Sequence, residues 1–384
     1  MEQALFLAHP LDKTYNKSVA LAQQLASVFP RLIVHEIPAM DRSLSRRRHL
    51  AARVVAYQSI WRECAGLPCD VVWLSEFRYT FANLIFARVL GWRLRALVIG
   101  GPHAIRIDGI YFNNPAVAAA GYSRQPLCLL RRLSFRLQER LKLGLVDVLQ
   151  SYSRAYSERI LGYCRARKTV LIVPVSAPDA ERLPRAGSIA RQKITLVFWG
   201  TPSVLHGLDL LPEAVRQLCC LGVRVNVVVY AAINDALQAV LLDADQLGVR
   251  QRFQIDDRIL SRNWRVLTGR EIGISHFISP ALSSDARNAC EAVTTNKMFE
   301  VLSLGLPLLV ADTAAVREAV GPDECFLVSP GSVESVVSAV KYAYENPAVV
   351  EARAEAGYAA YLNRLAPRLT APFIRDQLLH LNRV

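Results

Sequence analysis

Two loop-to-helix junctions in the second half of the sequence carry residue types that bind phosphate. The segments TPSVLHG (201–207) and TTNKMFE (294–300) each lead into a helical pattern. A helix start suits a diphosphate because its free backbone N–H groups and the positive end of its dipole attract anions. Lys297 adds a full positive charge at the second junction. Neither GxGxxG after a first strand nor GxxxxGK(S/T) occurs, which argues against dinucleotide dehydrogenases and P-loop enzymes.

Apolar segments of strand length alternate with helical patterns along the whole chain, which predicts an α/β protein with parallel sheets. The strand segments are 4–8, 31–37, 70–75, 96–101, 147–152 and 169–175 in the first half, and 193–200, 223–231, 252–256, 271–275, 307–312 and 325–329 in the second. Both phosphate-binding junctions follow strands of the second array. They should therefore lie at the carboxyl edge of a sheet, where α/β folds bind ligands.

A chain of 384 residues is long enough to build two cores. The segment PVSAPDAERLPRAGS is rich in proline and glycine and predicts an interdomain linker at about 174–190. We therefore expect an N-terminal domain at 1–187 and a C-terminal domain at 188–384. Two βαβ arrays joined in this way predict two Rossmann-like domains that face a cleft.

The run NKMFEVLSLGLPLLVAD, Asn296 to Asp312, resembles the signature of glycosyltransferase family 4. The shared features are an Asn-Lys pair that opens a helix, a Glu on that helix, a Gly-x-Pro turn and an apolar strand. The similarity extends back to FWGTPSVLHGLDLLPEAV and forward through REAVGPDECFLVSPGSVESVVSAV. It implies the GT-B architecture, a nucleotide-diphosphate sugar (UDP or GDP) as substrate rather than a cofactor, and a last helix that packs back on the N-terminal domain.

The resemblance also assigns roles to individual residues. Glu300 matches the glutamate that hydrogen-bonds the ribose hydroxyls, a task that suits a carboxylate because two adjacent hydroxyls can both donate to it. The other residues expected to bind the nucleotide sugar are Asn296, Lys297, Gly200, Thr201 and His206. Two departures stand out. The family's earlier glutamate, eight positions before Glu300, is Ala292 here, so the sugar contact is either missing or displaced to the neighbouring Glu291. The usual Arg and basic residue of the first loop are Thr201 and His206.

Two residues of the first half are candidates for catalysis. His103, in GGPHAIRIDG, lies on the kind of loop from which the family directs a histidine toward the donor sugar. Asp12, in HPLDKTYNKS, would be the acceptor base if the reaction inverts the anomeric configuration. The resemblance itself implies retention. The alternative for each is an ordinary structural loop residue.

A rival metal motif occurs in AVLLDADQLG, where Asp243 and Asp245 resemble the Asp-x-Asp pair that holds a divalent cation in the other glycosyltransferase fold. These aspartates lie at the end of a helical pattern with Asn234 or Asp235 at its N-cap and Gly248 past its end, so we expect a helix here. The diphosphate would then be neutralised by helix ends and basic side chains, with no metal required.

The positive charge is concentrated in the first half. The net charge is +13, from 46 Lys+Arg and 33 Asp+Glu. Residues 1–187 contain 27 basic and 13 acidic residues, a net charge of +14. Residues 188–384 contain 19 basic and 20 acidic residues, a net charge of −1. Arginine-rich segments at 42–53 and 124–142 have the composition of helices that lie on anionic bilayers. The arginines expected at this face are Arg46, Arg47, Arg48, Arg131, Arg132 and Arg136. A solvated basic face that packs inward on its leucines is the alternative.

Other features of the sequence argue against nucleic-acid-binding, secreted and membrane-spanning proteins. No nucleic-acid-binding fold accompanies the basic charge, the start lacks the features of a signal peptide, and the apolar stretch 84–101 is interrupted by three arginines. Eight cysteines without metal-site spacing are expected to be mostly buried, as in a reducing compartment. Together with the resemblance to glycosyltransferase family 4, these features predict a cytoplasmic, membrane-peripheral glycosyltransferase of surface polysaccharide or glycolipid synthesis, with a lipid-linked or saccharide acceptor. A nucleotide-sugar epimerase or hydrolase and a non-catalytic binding protein of the same fold are the alternatives.

Overall fold

The computed structural model describes residues 2–8, 16–37, 46–74, 81–101, 126–174, 177, 181–184, 193–257, 264–282, 287 and 290–381. The chain forms two compact units. The first contains the described residues of 1–105, 133–174 and 367–384, and the second those of 106–132 and 175–366. The division at 174/175 lies at the start of the expected linker rather than at 187, and the chain returns to the first unit at Pro367.

The first unit is built on a six-stranded parallel sheet of order β2-β1-β3-β4-β5-β6. Its strands are β1 (Gln3–Ala8), β2 (Arg31–Glu36), β3 (Val71–Leu74), β4 (Leu97–Gly100), β5 (Val148–Ser151) and β6 (Thr169–Ile172). Its helices are α1 (Asn16–Val28), α2 (Arg46–Glu63), α3 (Phe81–Leu94), α4 (Pro126–Gly144, from Leu133 onward) and α5 (Arg154–Cys164). The central strands β1 and β3 are buried along their whole length, as expected where helices cover both faces of a parallel sheet.

The last helix, α12 (Pro367–Leu381), belongs to the first unit. It packs against α1, with Ile374 and Leu378 in the same apolar cluster as Leu25. Gln24 ties the two helices together because its Nε2 donates to the Thr370 hydroxyl at 2.7 Å. The unit's core is therefore completed only by the final helix of the chain.

The second unit is built on another six-stranded parallel sheet, of order β12-β11-β10-β7-β8-β9. Its strands are β7 (Ile194–Trp199), β8 (Val225–Tyr230), β9 (Phe253–Asp256), β10 (Ile272–Ile274), β11 (Leu308–Ala311) and β12 (Phe326–Val328). Its helices are α6 (Leu211–Cys220), α7 (Asp235–Gln246), α8 (Asn296–Ser303), α9 (Ala314–Ala319), α10 (Val333–Glu345) and α11 (Pro347–Ala360). The strand order reverses between β7 and β10, which makes their carboxyl ends the ligand-binding edge of such a fold.

The helix prediction for the Asp-x-Asp segment is confirmed. Asn234 caps α7 by accepting from the Leu237 backbone N–H at 3.0 Å, and Gly248 follows the helix with φ +70°. Asp243 and Asp245 lie two positions apart within α7. At that spacing the two side chains point to different sides of a helix, so they cannot converge on one ion.

The structure bears on two expectations from the sequence, that most cysteines are buried and that no segment spans a bilayer. Five of the seven described cysteines, Cys64, Cys69, Cys164, Cys290 and Cys325, are buried and all seven are free thiols, as expected of small apolar side chains. Among the described helices, none combines the length and the apolar composition that crossing a bilayer requires.

Close packing of α8 on β10 depends on Gly273. A Cβ at this position would lie 2.4 Å from a methyl group of Val301, so Gly273→Ala should force α8 away from the sheet. We expect a loss of about 1–3 kcal/mol in stability, measured by thermal unfolding. Val301→Ala in the same protein should recover part of that loss. Gly162→Ala, where nothing lies within 4 Å of the new methyl, is the control, and an equal loss there would contradict this account.

Candidate functional site

The candidate site lies where β7 and β10 end and α8 begins. Parallel pairing of Leu196 with Ile272 aligns the two strands, so the residues that follow them emerge side by side. Gly200 follows β7, Ser275 and His276 follow β10, and Lys297 lies on the first turn of α8. The segments expected to bind phosphate thus meet at the reversal point of the second sheet.

Gly200 sets the turn after β7. Its φ is +94°, a conformation that side-chain-bearing residues rarely adopt. A Cβ on Gly200 would lie 3.6 Å from the Lys297 Nζ, so the lysine ammonium lies close to the backbone of this turn. The glycine thus provides the turn's conformation and keeps the backbone open on the side that Lys297 faces.

His206 is held by a short 3-10 turn, Val204–His206, that ends at Gly207. Gly207 has φ +65°, and a Cβ there would lie 2.8 Å from the Ile278 backbone nitrogen. The His206 carbonyl accepts from the Phe277 N–H at 2.9 Å. This loop is therefore fastened to the segment that follows β10, and the imidazole has little freedom to move.

Lys297 and His206 are in direct contact. The Lys297 Nζ lies 3.1 Å from His206 Nε2 and 4.6 Å from the centre of the Phe198 ring. An ammonium can only donate, so Nε2 accepts and Nδ1 carries the imidazole proton. That Nδ1 lies 2.9 Å from the Ser203 hydroxyl, which then accepts. The cationic lysine thus fixes the histidine tautomer.

The pKa values of the cluster are all depressed. Burial lowers the pKa of Lys297 to about 8, partly opposed by Glu300. Burial, and then the charge of Lys297, lower the pKa of His276 to about 4. Burial is also the main cause that puts the pKa of His206 well below its usual 6.5, and the charges of Lys297 and His276 lower it further. At pH 7 Lys297 is therefore charged beside two neutral imidazoles, an arrangement that an anion would stabilise.

Glu300 lies one turn further along α8 and is only 7% exposed. Its Oε2 accepts from the Trp199 indole N–H at 2.6 Å. Trp199 in turn packs edge-to-face against Trp264, with ring centres 5.2 Å apart. The carboxylate is thus held at the end of β7, about one helical turn from Lys297.

His276 is a member of the cluster that the sequence did not reveal. It is 3% exposed, and its Nε2 has no hydrogen-bond partner among the described residues. Its Nδ1 lies 3.2 Å from the Ser275 hydroxyl, which lies 2.5 Å from that of Thr295, the residue before α8. The signal in the sequence was a histidine directly after a buried strand, in EIGISH. Trp199, directly before Gly200, was overlooked in the same way.

The remaining expected residues are placed as follows. Asn296 opens α8, and its Oδ1 is buried with no partner among the described residues. Thr201 is exposed directly after Gly200. Glu291 is half-buried and, within the described chain, makes no hydrogen bond to the cluster. Asp12 and His103 lie outside the described residues, as do the side chains of Arg46, Arg47, Arg48, Arg131 and Arg132. Arg136 is half-buried, with its guanidinium 5.2 Å from the centre of the Tyr163 ring.

No family model and no curated protein sequence matches the chain. Solved structures do match. HepE of Anabaena in complex with UDP is 13% identical with a TM-score of 0.66, and the match covers all of both chains. Sucrose-phosphate synthase from Thermosynechococcus elongatus is 11% identical (TM-score 0.63, 100% of this chain and 98% of that one). The lipopolysaccharide outer core galactosyltransferase WaaB, in its apo form, is 10% identical (TM-score 0.62, 99% and 100%). The GT-B fold expected from the sequence is confirmed.

The buried Lys297 ammonium lowers the stability of the free protein, because it has lost much of its hydration. Removing it should therefore stabilise the fold. Its pKa of about 8 lies below the value of about 10.4 in an unfolded chain. Between these values the unfolded state binds more protons, so the stability contribution of Lys297 rises with pH. Lys297→Met should therefore raise the melting temperature at pH 7, and the difference should shrink at pH 9.5. Lys341, which is only half-buried and pairs with Glu345 at 2.8 Å, is replaced by Met as the control. A lower melting temperature for Lys297→Met at pH 7 would contradict this account.

Proposed function

We propose that this protein is a glycosyltransferase that binds a nucleoside-diphosphate sugar at the cluster formed by β7, β10 and α8. The observation that carries the proposal is Lys297, a desolvated cation held over the Gly200 turn at the start of a helix. Two neutral imidazoles accompany it. A diphosphate is the anion that such a group of donors suits.

The same geometry suits the chemistry of transfer. When the bond between the sugar's anomeric carbon and the diphosphate oxygen breaks, negative charge develops on the leaving diphosphate, while the acceptor oxygen forms the new bond and gives up its proton. Lys297 and the first backbone N–H groups of α8 are preorganised donors for that charge. This supports leaving-group stabilisation by protein groups and a metal-independent reaction.

Glu300 is proposed to bind the ribose. Its carboxylate accepts from Trp199 at 2.6 Å, which fixes its orientation, and a carboxylate has enough acceptor sites to take a pair of ribose hydroxyls as well. Asn296, Gly200, Thr201 and His206 complete the proposed nucleotide site. We assign the sugar contact to Glu291 and a catalytic role to His103, with retention of configuration. Asp12 would act as the acceptor base only if the reaction inverts the configuration instead.

The proposed donor is a UDP-sugar, with a GDP-sugar as the alternative. Structures of HepE contain UDP, UDP with glucose, and UDP-glucose, and the present chain matches each of them over its whole length. The proposed acceptor is a lipid-linked saccharide at the inner face of the cytoplasmic membrane, in surface polysaccharide synthesis. The positive charge of residues 1–187 supports this assignment, because it would attract an anionic membrane surface.

Nucleotide binding tests the site. Isothermal titration calorimetry with UDP, GDP and ADP should show binding of UDP, and Lys297→Met should weaken it by roughly 10- to 100-fold, since a hydrogen bond to a charged group contributes about 1.5–3 kcal/mol. Glu300→Gln should weaken binding of UDP but not of inorganic pyrophosphate. Lys341→Met is the matched control. If none of the nucleotides binds the wild-type protein, the assignment is wrong.

The pH dependence of binding follows from the pKa of Lys297. That pKa is about 8 in the free protein, and a bound diphosphate should raise it, because a nearby negative charge favours the cation. Affinity for UDP-glucose should therefore fall as the pH rises above about 8, by up to about tenfold per unit. Titrations at pH 8.5 in buffers of different ionisation enthalpy should show proton uptake, and Lys297→Met should abolish it. Affinity that stays constant from pH 7 to 9.5 would contradict the role of Lys297.

Transfer itself is tested by release of UDP from UDP-sugars in the presence of lipid-linked acceptors. Release that depends on the acceptor supports a transferase. Conversion or hydrolysis of the donor without any acceptor would identify an epimerase or hydrolase instead. Binding of UDP with neither outcome would identify a non-catalytic binding protein.

A further inference from the structure

Helix α3 of the first unit is apolar on both of its sides. Its inner side, with Leu84, Ala87 and Leu90, is buried against the sheet. Its outer side exposes Ile85, Val89 and Trp92, which are 51%, 41% and 66% accessible. At spacings of four and three residues these side chains form one stripe along the helix. A stripe of large apolar groups that no described residue covers marks an interaction surface.

Arginines border this stripe. Arg88 lies on one side of it, with its guanidinium 5.2 Å from the centre of the Trp92 ring. Arg93 lies on the other side, with its guanidinium 4.0 Å from the Trp61 ring centre. Arg95 follows the helix and is exposed. Helix α3 contains no acidic residue. Of these arginines, Arg88 is paired with Asp147 at 2.5 Å, which leaves Arg93 and Arg95 to carry the positive charge of this face.

We propose that the outer face of α3, defined by Ile85, Val89 and Trp92, docks on an anionic membrane surface. The helix has 14 residues, too few to span a bilayer, which takes about 20, so it would lie in the interface plane with its apolar stripe in the headgroup boundary. Tryptophan beside arginine suits that boundary, because both side chains present an apolar body and a polar end.

Charge favours a membrane over a second copy of this chain. In a symmetric pair the same patch faces itself, so a dimer through α3 would place Arg93 and Arg95 against a second helix that has no acidic residue to pair with them. An anionic lipid surface would instead attract them. The neighbouring helix α4, whose Lys142 Nζ lies 5.8 Å from the Phe81 ring centre, also exposes two leucines, Leu137 and Leu141. They add to the apolar surface of this unit.

This inference builds on the proposed function by naming the surface that holds the enzyme at its acceptor, but it can fail separately. Vesicle binding tests the surface, whereas UDP binding tests the nucleotide site. The α3 face contains none of the residues assigned to that site, so a variant of it should bind UDP as the wild-type protein does.

The experiment is co-sedimentation of the full chain with vesicles of phosphatidylcholine alone and with 30% phosphatidylglycerol. The wild-type protein should bind the anionic vesicles, and 0.5 M salt should weaken binding. The triple variant Ile85→Ser/Val89→Ser/Trp92→Ser should lose at least about tenfold in partitioning, because the apolar contribution is removed. Leu221→Ser/Ile233→Ser/Leu242→Ser, which changes three exposed apolar residues of the second unit, is the matched control and should bind normally.

Trp92 provides a second measurement that does not depend on the triple variant. Its fluorescence should shift to the blue on anionic vesicles and be quenched by brominated phosphatidylglycerol, and Trp92→Phe should lose this signal while still binding. Equal binding by the triple variant and the wild-type protein would overturn the proposal. So would absence of wild-type binding to anionic vesicles, or a wild-type dimer that the triple variant converts to monomer in analytical ultracentrifugation.

Discussion

The second unit is organised around a positive charge that is partly removed from water. Burial lowers the pKa of Lys297 to about 8, because desolvation favours the neutral amine. The neighbours of the ammonium stabilise its charged form. His206 Nε2 accepts a hydrogen bond from the Lys297 ammonium, Phe198 presents a ring face to it, and Glu300 supplies a negative charge one turn away. An anion would complete this environment. The free protein thus holds a binding group in a state that is less stable alone than with a ligand.

The backbone around this lysine is arranged to bring three segments into contact. Gly200 and Gly207 have positive φ, and so does Ile278, at +64°. A β-branched residue in this region is strained, at a cost of order 1–3 kcal/mol. The bond from the Phe277 N–H to the His206 carbonyl and the close approach of Gly207 hold the strained segment in place. The same bond fixes the backbone of His206, whose imidazole contacts Lys297.

The two units differ in the kind of partner that their surfaces can bind. The second concentrates desolvated donors at one sheet edge. Along the sequence, residues 188–384 carry a net charge of −1, whereas residues 1–187 carry +14, from 27 basic and 13 acidic residues. In the first unit, α3 exposes an apolar stripe beside Arg93 and Arg95. Recognition of a small anion requires a few fixed groups, whereas attraction to a charged surface requires many loosely placed ones. The sequence divides these two tasks between its halves.

The sequence predicted three features that each depend on residues close together in the chain. These are the alternation of strands and helices, helix caps such as Asn234, and the placement of Lys297 and Glu300 on one helix. Strand order was not predicted, since it depends on long-range packing, and the placement of α12 in the first unit was expected from the family resemblance alone. Trp199 meets Glu300 across 101 positions, and His276 joins the cluster only because β10 pairs with β7. The exposed face of α3 was hidden for another reason. A helix that is apolar on two opposite sides does not show by its periodicity which of them is buried, so only the tertiary structure decided it.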